Sequence, residues 1–112
     1  TMMSPTIITK DLKPKYILGS GGSNRIRSAT VQVILNLLIK NMSLSDAINS
    51  PRIHLEGNTL FHEPGIIVPN NQLKDVIINS FNNKNLFFGG VNAVSEENAI
   101  ADERRGGHGI IC

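Results

Sequence analysis

The sequence GSGGSNRIRSA, residues 19–29, lies between an apolar run at residues 15–18 and a long stretch with helical periodicity. Glycine takes up backbone conformations that other residues avoid, and it lets the backbone come close to a bound group. Where such a loop leads into the first turn of a helix, its N–H groups are available to a negatively charged group. The stretch therefore predicts a strand, a tight turn and a helix, with the turn as a candidate anion site. A helix-entry turn that binds nothing is the alternative.

The composition is that of a packed globular domain or a part of one. The chain has 112 residues, of which 40% are hydrophobic and 18% are charged. The apolar stretches are too short to span a bilayer, and a net charge of +2 gives no broad basic surface for nucleic acid. We therefore predict neither a membrane span nor a nucleic-acid partner. The single cysteine, Cys112, cannot form an internal disulfide and does not indicate the redox compartment.

Hydrophobic periodicity predicts the elements of the first half of the chain. The runs at 5–9 and 15–19 flank a polar turn, which predicts a β-hairpin. Apolar residues recur at helical spacing over 24–41 and occupy most of the circumference, which predicts a largely buried helix. A spacing like that of a capping box begins at Ser43 and predicts a second, short helix that ends before Pro51.

The second half contains shorter elements. RIHLE and TLFHE flank Gly57-Asn58 and predict a second hairpin. Asn70 or Asn71 is the predicted cap of a third helix, whose apolar positions are Leu73, Val76, Ile77 and Phe81. Four further short strands are predicted, at 85–88, 91–95, 98–102 and 109–112.

Together these elements predict an α+β fold formed by one domain, or a fragment of one, over residues 1–112. The hairpin of residues 5–19 and the strands after Asn85 are expected to join one antiparallel sheet. The helix after Arg25 is expected to pack across this sheet. A parallel, doubly wound sheet would instead indicate a nucleotide-binding domain.

Four segments, MSPTII, LGSGGSNRI, INSPRIHLEG and NAVSEENAIADERRGG, occur in the order seen in γ-glutamyltranspeptidases. Over essentially its whole length the chain resembles the C-terminal part of the small subunit of that family. The resemblance implies an N-terminal-nucleophile hydrolase, an αββα sandwich of mainly antiparallel sheets with packed helices, made by self-cleavage of a precursor. The implied activity is transfer or hydrolysis of γ-glutamyl groups from glutathione and related γ-glutamyl amides.

The resemblance gives the glycine loop a specific role. In the family, a threonine hydroxyl activated by its own α-amino group attacks the γ-glutamyl carbonyl, and two adjacent backbone N–H groups of the loop bind the oxyanion. The family commonly reads Gly-Ser-Pro-Gly-Gly-Ser-Arg-Ile, and an ungapped alignment places the two donors on Gly22 and Ser23. A shift of one residue places them on Gly21 and Gly22. Both registers are chemically acceptable because the backbone N–H binds the oxyanion.

A second implied site precedes the MSPT segment. In the family a pair of serines there binds the α-carboxylate of the glutamyl group, and the aligned residues here are Thr1 and Met2. Thr1 keeps a hydroxyl group and Met2 does not, so backbone N–H groups would have to replace the second serine. Alternatively, Met2 and Met3 are ordinary apolar residues that enter a strand.

The nucleophile of the family opens a threonine-rich strand well upstream of MSPT, and no such strand is found in these 112 residues. We therefore expect the nucleophile, further substrate ligands and the large subunit to come from the rest of the same precursor. The isolated chain would then be inactive. Thr1 as the nucleophile is the alternative. The sequence itself does not indicate a location, and the resemblance implies a periplasmic or extracellular one.

Other polar clusters have simpler interpretations. His54, Glu56, His62 and Glu63 lie on one predicted hairpin and could suggest a metal site, although surface or hydrogen-bonded positions explain them as well. Arg52 is predicted to be a structural hydrogen-bond anchor. Residues 102–105 are predicted to form a solvated charged turn. Neither a metal nor an organic cofactor is indicated.

Three functions therefore stay open. The first is acyl transfer from a γ-glutamyl donor, and the second is anion or phosphate binding by the glycine loop without chemistry. The loop has neither the Gly-Lys-Ser/Thr ending of a P-loop nor a complete G-x-G-x-x-G motif, which disfavours the second. The third is a degenerate, non-catalytic relative.

Overall fold

The computed structural model describes residues 5–21, 25–68, 75–105 and 110–111. Its elements, in chain order, are β1 (Thr6–Lys10), β2 (Lys13–Gly21), α1 (Ile26–Leu38), α2 (Leu44–Asn49), β3 (Ile53–Glu56), β4 (Thr59–His62), β5 (Ile77–Ser80), a 3-10 turn (Leu86–Phe88), β6 (Gly90–Val94), β7 (Asn98–Ile100), a second 3-10 turn (Glu103–Arg105) and β8 (Ile110–Ile111).

The larger of two sheets joins both ends of the described chain. Its five strands have the order β1-β2-β6-β7-β8, and every neighbouring pair is antiparallel. The predicted hairpin of residues 5–19 and the strands predicted at 91–95, 98–102 and 109–112 are thus confirmed as parts of one antiparallel sheet. The described residues contain no parallel, doubly wound sheet, so the α+β prediction is confirmed and the nucleotide-binding fold is not found.

The apolar stripe of α1 packs on this sheet. Ala29, Val33 and Leu37 are spaced four residues apart, and they join Leu18 of β2 and Val91 of β6 in one buried core. Burial of a valine or leucine side chain contributes about 1.5–3 kcal/mol relative to its exposure. The stripe therefore places α1 across the sheet, as its periodicity predicts.

The opposite face of α1 does not match its prediction. Val31, Leu35 and Leu38 are 52%, 48% and 46% exposed, because the described part of the chain packs against only one side of the helix. The prediction of a largely buried helix is therefore wrong for this face. The helix also ends at Leu38, before the predicted limit, and Asn41 has a left-handed backbone with φ 54°.

The short helix α2 follows as predicted. The Ser43 hydroxyl accepts a hydrogen bond from the N–H of Asp46 at 3.2 Å, which satisfies one of the free donors at the start of a helix. Asn36 of α1 donates to the carbonyl of Ala47 at 3.1 Å and links the two helices. Within the described residues, neither helix has the length and apolarity needed to cross a membrane.

The smaller sheet has the order β3-β4-β5. The predicted hairpin around Gly57-Asn58 is confirmed as β3 and β4, which are antiparallel. The predicted third helix is wrong where it is described, because Ile77–Ser80 forms β5 and pairs in parallel with β4. The hydrogen bonds of β5 are made with residues distant in the sequence. For example, the N–H of Ile77 donates to the carbonyl of Asn58 at 2.8 Å. Asn70, Asn71 and Leu73, which belong to the same prediction, lie outside the described residues.

The strand predicted at 85–88 is also wrong, because Leu86–Phe88 forms a 3-10 turn. The Asn85 side chain accepts a hydrogen bond from the N–H of Phe87 at 2.8 Å and starts the turn. The Phe87 ring packs against Phe61, Phe81 and Phe88 at centroid distances of 4.7, 5.3 and 5.0 Å. This aromatic cluster draws on three separate segments, so tertiary packing overrides the local preference for a strand.

Four buried charged side chains, Arg52, Glu63, Asp102 and Arg104, form one network in which each is at most 7% exposed. Arg104 Nε donates to Glu63 Oε2 at 2.7 Å, and Arg104 Nη1 donates to Asp102 Oδ1 at 3.0 Å. Arg52 forms an ion pair with Asp102 at 2.7 Å. The predicted solvated turn is therefore wrong for Asp102 and Arg104, because their partners lie far away in the sequence. Glu103 is exposed, as expected.

Arg52 confirms its predicted role as a hydrogen-bond anchor. Its Nη2 donates to the carbonyl of Ile48 at 2.9 Å, and its Nη1 donates to the carbonyl of Phe88 at 3.1 Å. One side chain thus connects the end of α2 with the first 3-10 turn.

The carboxylates of the network bind the same part of the chain. Glu63 Oε2 accepts from the N–H of Asn85 at 3.2 Å, and Asp102 Oδ2 accepts from the N–H of Val91 at 2.9 Å. Together with the bond to the Phe88 carbonyl, these contacts fix residues 85–91 at three backbone groups.

Opposing effects set the ionisation of these groups. Burial disfavours the charged form, and it lowers the pKa of Arg52. Burial would raise the pKa of Asp102, but the Arg52 guanidinium and the N–H groups of Val91 and Arg104 outweigh it and hold this pKa below its ordinary value. Asp102 therefore stabilises the fold above its ordinary pKa, and this contribution is lost as the pH falls through the lowered pKa.

Replacing Asp102 by asparagine should destabilise the chain strongly. The substitution leaves the buried Arg52 guanidinium without its ion-pair partner, and breaking a buried pair in this way typically costs about 3–5 kcal/mol. Urea unfolding at pH 7, followed by circular dichroism, measures the loss. The neighbouring exposed variant Glu103→Gln is the control and should stay within about 0.5 kcal/mol of the parent chain. Equal midpoints for the two variants would contradict the role of the network.

Candidate functional site

The glycine loop is described on both sides. On the strand side, Ser20 pairs with Val91 and Gly21 pairs with Gly90 of β6. On the helix side, Arg25 immediately precedes α1. The loop thus connects an interior strand of the antiparallel sheet to a packed helix, and a strand followed by a helix is what the sequence predicts.

The residues predicted to contact substrate are less completely described. Gly22 and Ser23, the predicted oxyanion donors, lie outside the described residues, and so do Thr1 and Met2 of the predicted carboxylate site. Gly21, the donor in the alternative register, is the last residue of β2. The roles of all five stay predictions.

Arg25 holds the helical side of the loop. Its Nε donates to the carbonyl of Phe87 at 2.9 Å, and its guanidinium lies 4.4 Å from the centre of the Phe87 ring. A cation–π contact of this kind contributes about 0.5–2 kcal/mol, depending on its desolvation. The first 3-10 turn therefore contacts the chain at the point where the glycine loop leads into α1.

Gly89 holds both sides of the loop at once. Its φ of +84° and ψ of −174° lie in a region that essentially only glycine adopts. A β-carbon there would lie 3.0 Å from the Ala29 β-carbon and 3.5 Å from Ser20 Oγ. The backbone at Gly89 is thus packed between the end of β2 and the start of α1.

Replacing Gly89 by alanine should therefore destabilise the chain by about 2–6 kcal/mol, because backbone strain and overpacking each cost about 1–3 kcal/mol. Gly57→Ala is a matched control, since φ at Gly57 is +62° but no atom lies within 4 Å of the added carbon. The control should lose only about 1–2 kcal/mol. Urea unfolding measures both losses, and peptide-resolved hydrogen exchange should show faster exchange over residues 19–25 in the Gly89 variant alone. Equal stability and equal exchange in the two variants would contradict the close packing.

The candidate metal cluster on the second hairpin does not assemble. Glu63 is committed to Arg104, and His62 Nδ1 lies 3.0 Å from the Glu63 carbonyl. His54 and Glu56 remain near each other, with Nε2 and Oε2 separated by 3.9 Å. In the described part of the chain, no three His, Cys, Asp or Glu side chains form a group suited to a metal ion.

His54 contacts a serine instead. Ser28 Oγ lies 2.7 Å from His54 Nδ1, and the His54 ring is only 7% exposed. Burial lowers the pKa of His54 and Arg25 lowers it further, while Glu56 opposes both. Since the ordinary value is 6.5, the neutral form of His54 predominates at pH 7.

Sequence reasoning did not find the Ser28–His54 pair. The two residues are 26 positions apart, on α1 and β3, and no spacing rule connects a helix position with a strand position. The available signal was a histidine between two apolar residues, Ile53 and Leu55, in a strand. That signal indicates a buried ring without indicating its partner.

A groove of about 550 Å³ lies at the start of β2. The glycine loop, in contrast, follows the end of β2. Lysines and glutamates line the groove together, including Lys10, Lys13, Glu96 and Glu97. It contains none of the residues that the sequence predicts for a site.

The fold is shared with solved transpeptidases. A γ-glutamyltranspeptidase from Pseudomonas nitroreducens matches with a TM-score of 0.77 and 23% identity, over 98% of this chain and 62% of that chain. The transpeptidase CapD from Bacillus anthracis matches with a TM-score of 0.75 and 31% identity, over 94% of this chain and 67% of that chain. The α+β architecture is therefore that of the N-terminal-nucleophile hydrolases.

Within that class, the chain belongs to the γ-glutamyltranspeptidase family. The family model described as gamma-glutamyltranspeptidase matches residues 1–112. This match covers the glycine loop, both flanking elements and the segments that carry the charge network.

Curated relatives match over shorter stretches. A glutathione hydrolase proenzyme from Pseudomonas sp. strain A14 is 44% identical over 52 residues, and the Escherichia coli K12 glutathione hydrolase proenzyme is 38% identical over 52 residues. Each alignment covers 46% of this chain and 9% of the relative. An acylase ACY 1 proenzyme from Pseudomonas sp. strain V22 is 36% identical over 66 residues, or 59% of this chain and 12% of the relative. The aligned parts thus span about a tenth of each relative's length.

Proposed function

We propose that this chain supplies the oxyanion-binding loop and part of the donor-carboxylate site of an enzyme that transfers or hydrolyses γ-glutamyl groups. The donors would be glutathione and related γ-glutamyl amides, and the reaction would pass through a threonine acyl-enzyme. The observation that carries this proposal is the glycine loop between β2 and α1, which segment 87–90 contacts on both sides, in a chain that matches the family along its whole length.

The proposed role requires a fixed backbone. A tetrahedral intermediate carries a negative oxygen, and donors that are already in place stabilise it without reorganisation. Arg25 and Gly89 restrain the two flanks of the loop, which supports such preorganisation. The donors would be the N–H groups of Gly22 and Ser23, or those of Gly21 and Gly22 in the shifted register.

The proposed carboxylate site belongs to the residues that precede β1 in the sequence. Thr1 would donate its hydroxyl to the α-carboxylate of the γ-glutamyl group, and backbone N–H groups would replace the side chain that Met2 lacks. Names of the relatives include both glutathione hydrolases and an acylase. We assign the γ-glutamyl group as the donor because the family match and the glutathione hydrolases agree on it.

The proposed partner of the chain is the rest of the same precursor. The relatives named above are proenzymes, which supports a polypeptide that is processed to its active form. That polypeptide would provide the nucleophilic threonine and the large subunit.

The isolated 112-residue chain should therefore not hydrolyse a γ-glutamyl anilide. Release of the aniline, followed by absorbance at pH 8, should equal the rate in buffer. Turnover that disappears in Thr1→Ala would overturn the assignment of the nucleophile to another segment. Thr1→Ser is the matched control, because serine would retain the nucleophilic hydroxyl.

Gly22→Pro in the full-length enzyme tests the oxyanion donors. Proline has no N–H and fixes φ near −65°, and loss of one such donor lowers kcat by about 100–1,000-fold. The variant should therefore lose at least about a hundredfold in kcat if Gly22 is a donor.

Two measurements protect this test from a folding artefact. Ser23→Ala keeps every backbone N–H and should leave kcat nearly unchanged, and the melting temperature of each variant shows whether it is folded. A folded Gly22→Pro enzyme with ordinary kcat would exclude Gly22 as a donor.

A further inference from the structure

A groove of about 360 Å³ lies between α1 and β3. The side chains that line it are Arg27, Ser28, Val31, Gln32, Ile53, His54 and Leu55. It combines apolar surface with a hydroxyl, an imidazole and a guanidinium, and no role has been assigned to it above.

The groove contains a nucleophile beside a base. Ser28 Oγ lies 2.7 Å from His54 Nδ1, within the 2.6–3.2 Å reach that activation of a serine hydroxyl requires. Ser28 is partly exposed, so a substrate can approach its hydroxyl, whereas His54 is buried behind it.

The state of His54 suits it to accept a proton. Its Nε2 is buried and has no hydrogen-bond partner among the described residues, and the half-exposed Glu56 carboxylate lies 3.9 Å from it. A carboxylate on that side favours the tautomer with the proton on Nε2. Nδ1 then carries the lone pair that faces Ser28.

Gln32 keeps the two elements in register. Its Nε2 donates to the carbonyls of Ser28 and Ile53, both at 2.8 Å. Its Oε1 accepts from the N–H of Ile53 at 2.8 Å. One amide side chain thus bonds α1 to both backbone groups of the residue before His54, which fixes the separation of serine and histidine.

The remaining lining residues suit an acyl group. Arg27 lines the groove, and no hydrogen bond or ion pair joins its side chain to the rest of the described chain, so its charge is available to a developing oxyanion. Val31, Ile53 and Leu55 are 52%, 39% and 59% exposed and provide apolar surface for the acyl chain.

We propose that Ser28 is the nucleophile of an esterase-like site that accepts small apolar acyl groups from esters. Ser28 Oγ attacks the ester carbonyl carbon while its proton passes to His54 Nδ1, and the tetrahedral oxyanion lies near Arg27. The bond to the alcohol oxygen then breaks, and His54 returns the proton to that oxygen. Water releases the carboxylic acid from Ser28 by the same route, with His54 as base and then as acid. The Glu56 carboxylate, 3.9 Å from His54 Nε2, favours the imidazolium that forms, and no oxidant or metal is required.

Covalent labelling of the 112-residue chain with diisopropyl fluorophosphate tests this site directly. Ser28 Oγ forms the bond to phosphorus, fluoride leaves, and the proton passes to His54. Mass spectrometry should find one adduct, and peptide mapping should place it on Ser28. No adduct, or an adduct on another residue, would overturn the proposal.

Two variants distinguish labelling of Ser28 that depends on His54 as a base from non-specific labelling of serines. His54→Gln should lower the labelling rate at Ser28 by about 100-fold or more, the usual contribution of a general base. Ser45→Ala is the matched control, because Ser45 is a helical serine that bonds only to Asn49 in the described structure. It should be labelled at the parent rate. An unchanged rate in a folded His54→Gln chain would count against the site.

The pH dependence covers the case in which His54→Gln does not fold. Only neutral His54 accepts the proton, so the labelling rate of the parent chain should rise with pH and reach a plateau. The midpoint should lie below the ordinary histidine value of 6.5, since burial and the Arg25 charge lower this pKa and together outweigh the Glu56 carboxylate, which raises it. A rate that keeps rising in proportion to hydroxide up to pH 9 would overturn the role of His54.

Hydrolysis of 4-nitrophenyl butyrate provides the catalytic readout. The parent chain should release nitrophenol faster than buffer, Ser28→Ala should abolish the excess, and Arg27→Gln should slow it. Ser45→Ala is again the control and should leave ester hydrolysis unchanged. Persistence of ester hydrolysis in Ser28→Ala would contradict the proposal independently of any γ-glutamyl activity.

Discussion

The buried network of two arginines and two carboxylates is the constraint on which the rest of this structure depends. Removing each ion from water costs several kcal/mol, and only partners in good geometry offset that cost. Arg52, Glu63, Asp102 and Arg104 come from segments that follow α2, β4 and β7, so those segments have to meet for any of the four charges to be satisfied. The network therefore disfavours partly assembled arrangements. Since the ions also bind backbone groups at both ends of residues 85–91, they fix the position of a segment that has little regular structure of its own.

That segment transmits the constraint to the glycine loop. Phe87 holds Arg25 by a hydrogen bond and by its ring, and Gly89 fits between Ser20 and Ala29. The loop can therefore be rich in glycine, which weakens it in isolation, and still be held at both flanks by its surroundings. This arrangement also explains why the loop can depart from the common family sequence at positions 21, 23 and 24. The groups that hold its flanks are the Arg25 side chain, the ring and carbonyl of Phe87, and the backbone of Gly89.

The parts that the sequence predicted are those that local pattern determines. The first hairpin, the stripe of Ala29, Val33 and Leu37, and the Ser43 cap each follow from neighbouring residues, as does the place of the glycine loop. The parts that it missed depend on distant partners. Ile77 is in a strand because it pairs with Thr59 of β4. Arg104 is buried because Glu63 accepts its hydrogen bond. Ser28 contacts His54, which is 26 positions away in the sequence. The residues next to each member of a pair do not indicate its distant partner. A charged residue in a turn is therefore expected to be solvated when only its sequence neighbours are considered.

Helix α1 supports both candidate chemistries on different faces. Its first residues adjoin the glycine loop, and Ala29, Val33 and Leu37 bury one stripe against the sheet. A second stripe, with the same helical spacing, lies on another face of α1 and consists of Ser28, Val31, Leu35 and Leu38. Its three apolar members are about half exposed. Ser28 is the one polar position in that stripe, and it is also the one that meets a buried neutral histidine. A ligand that covers the exposed stripe by apolar contact would therefore bring its polar end to Ser28, which is the order of contacts that an ester with an apolar acyl chain requires.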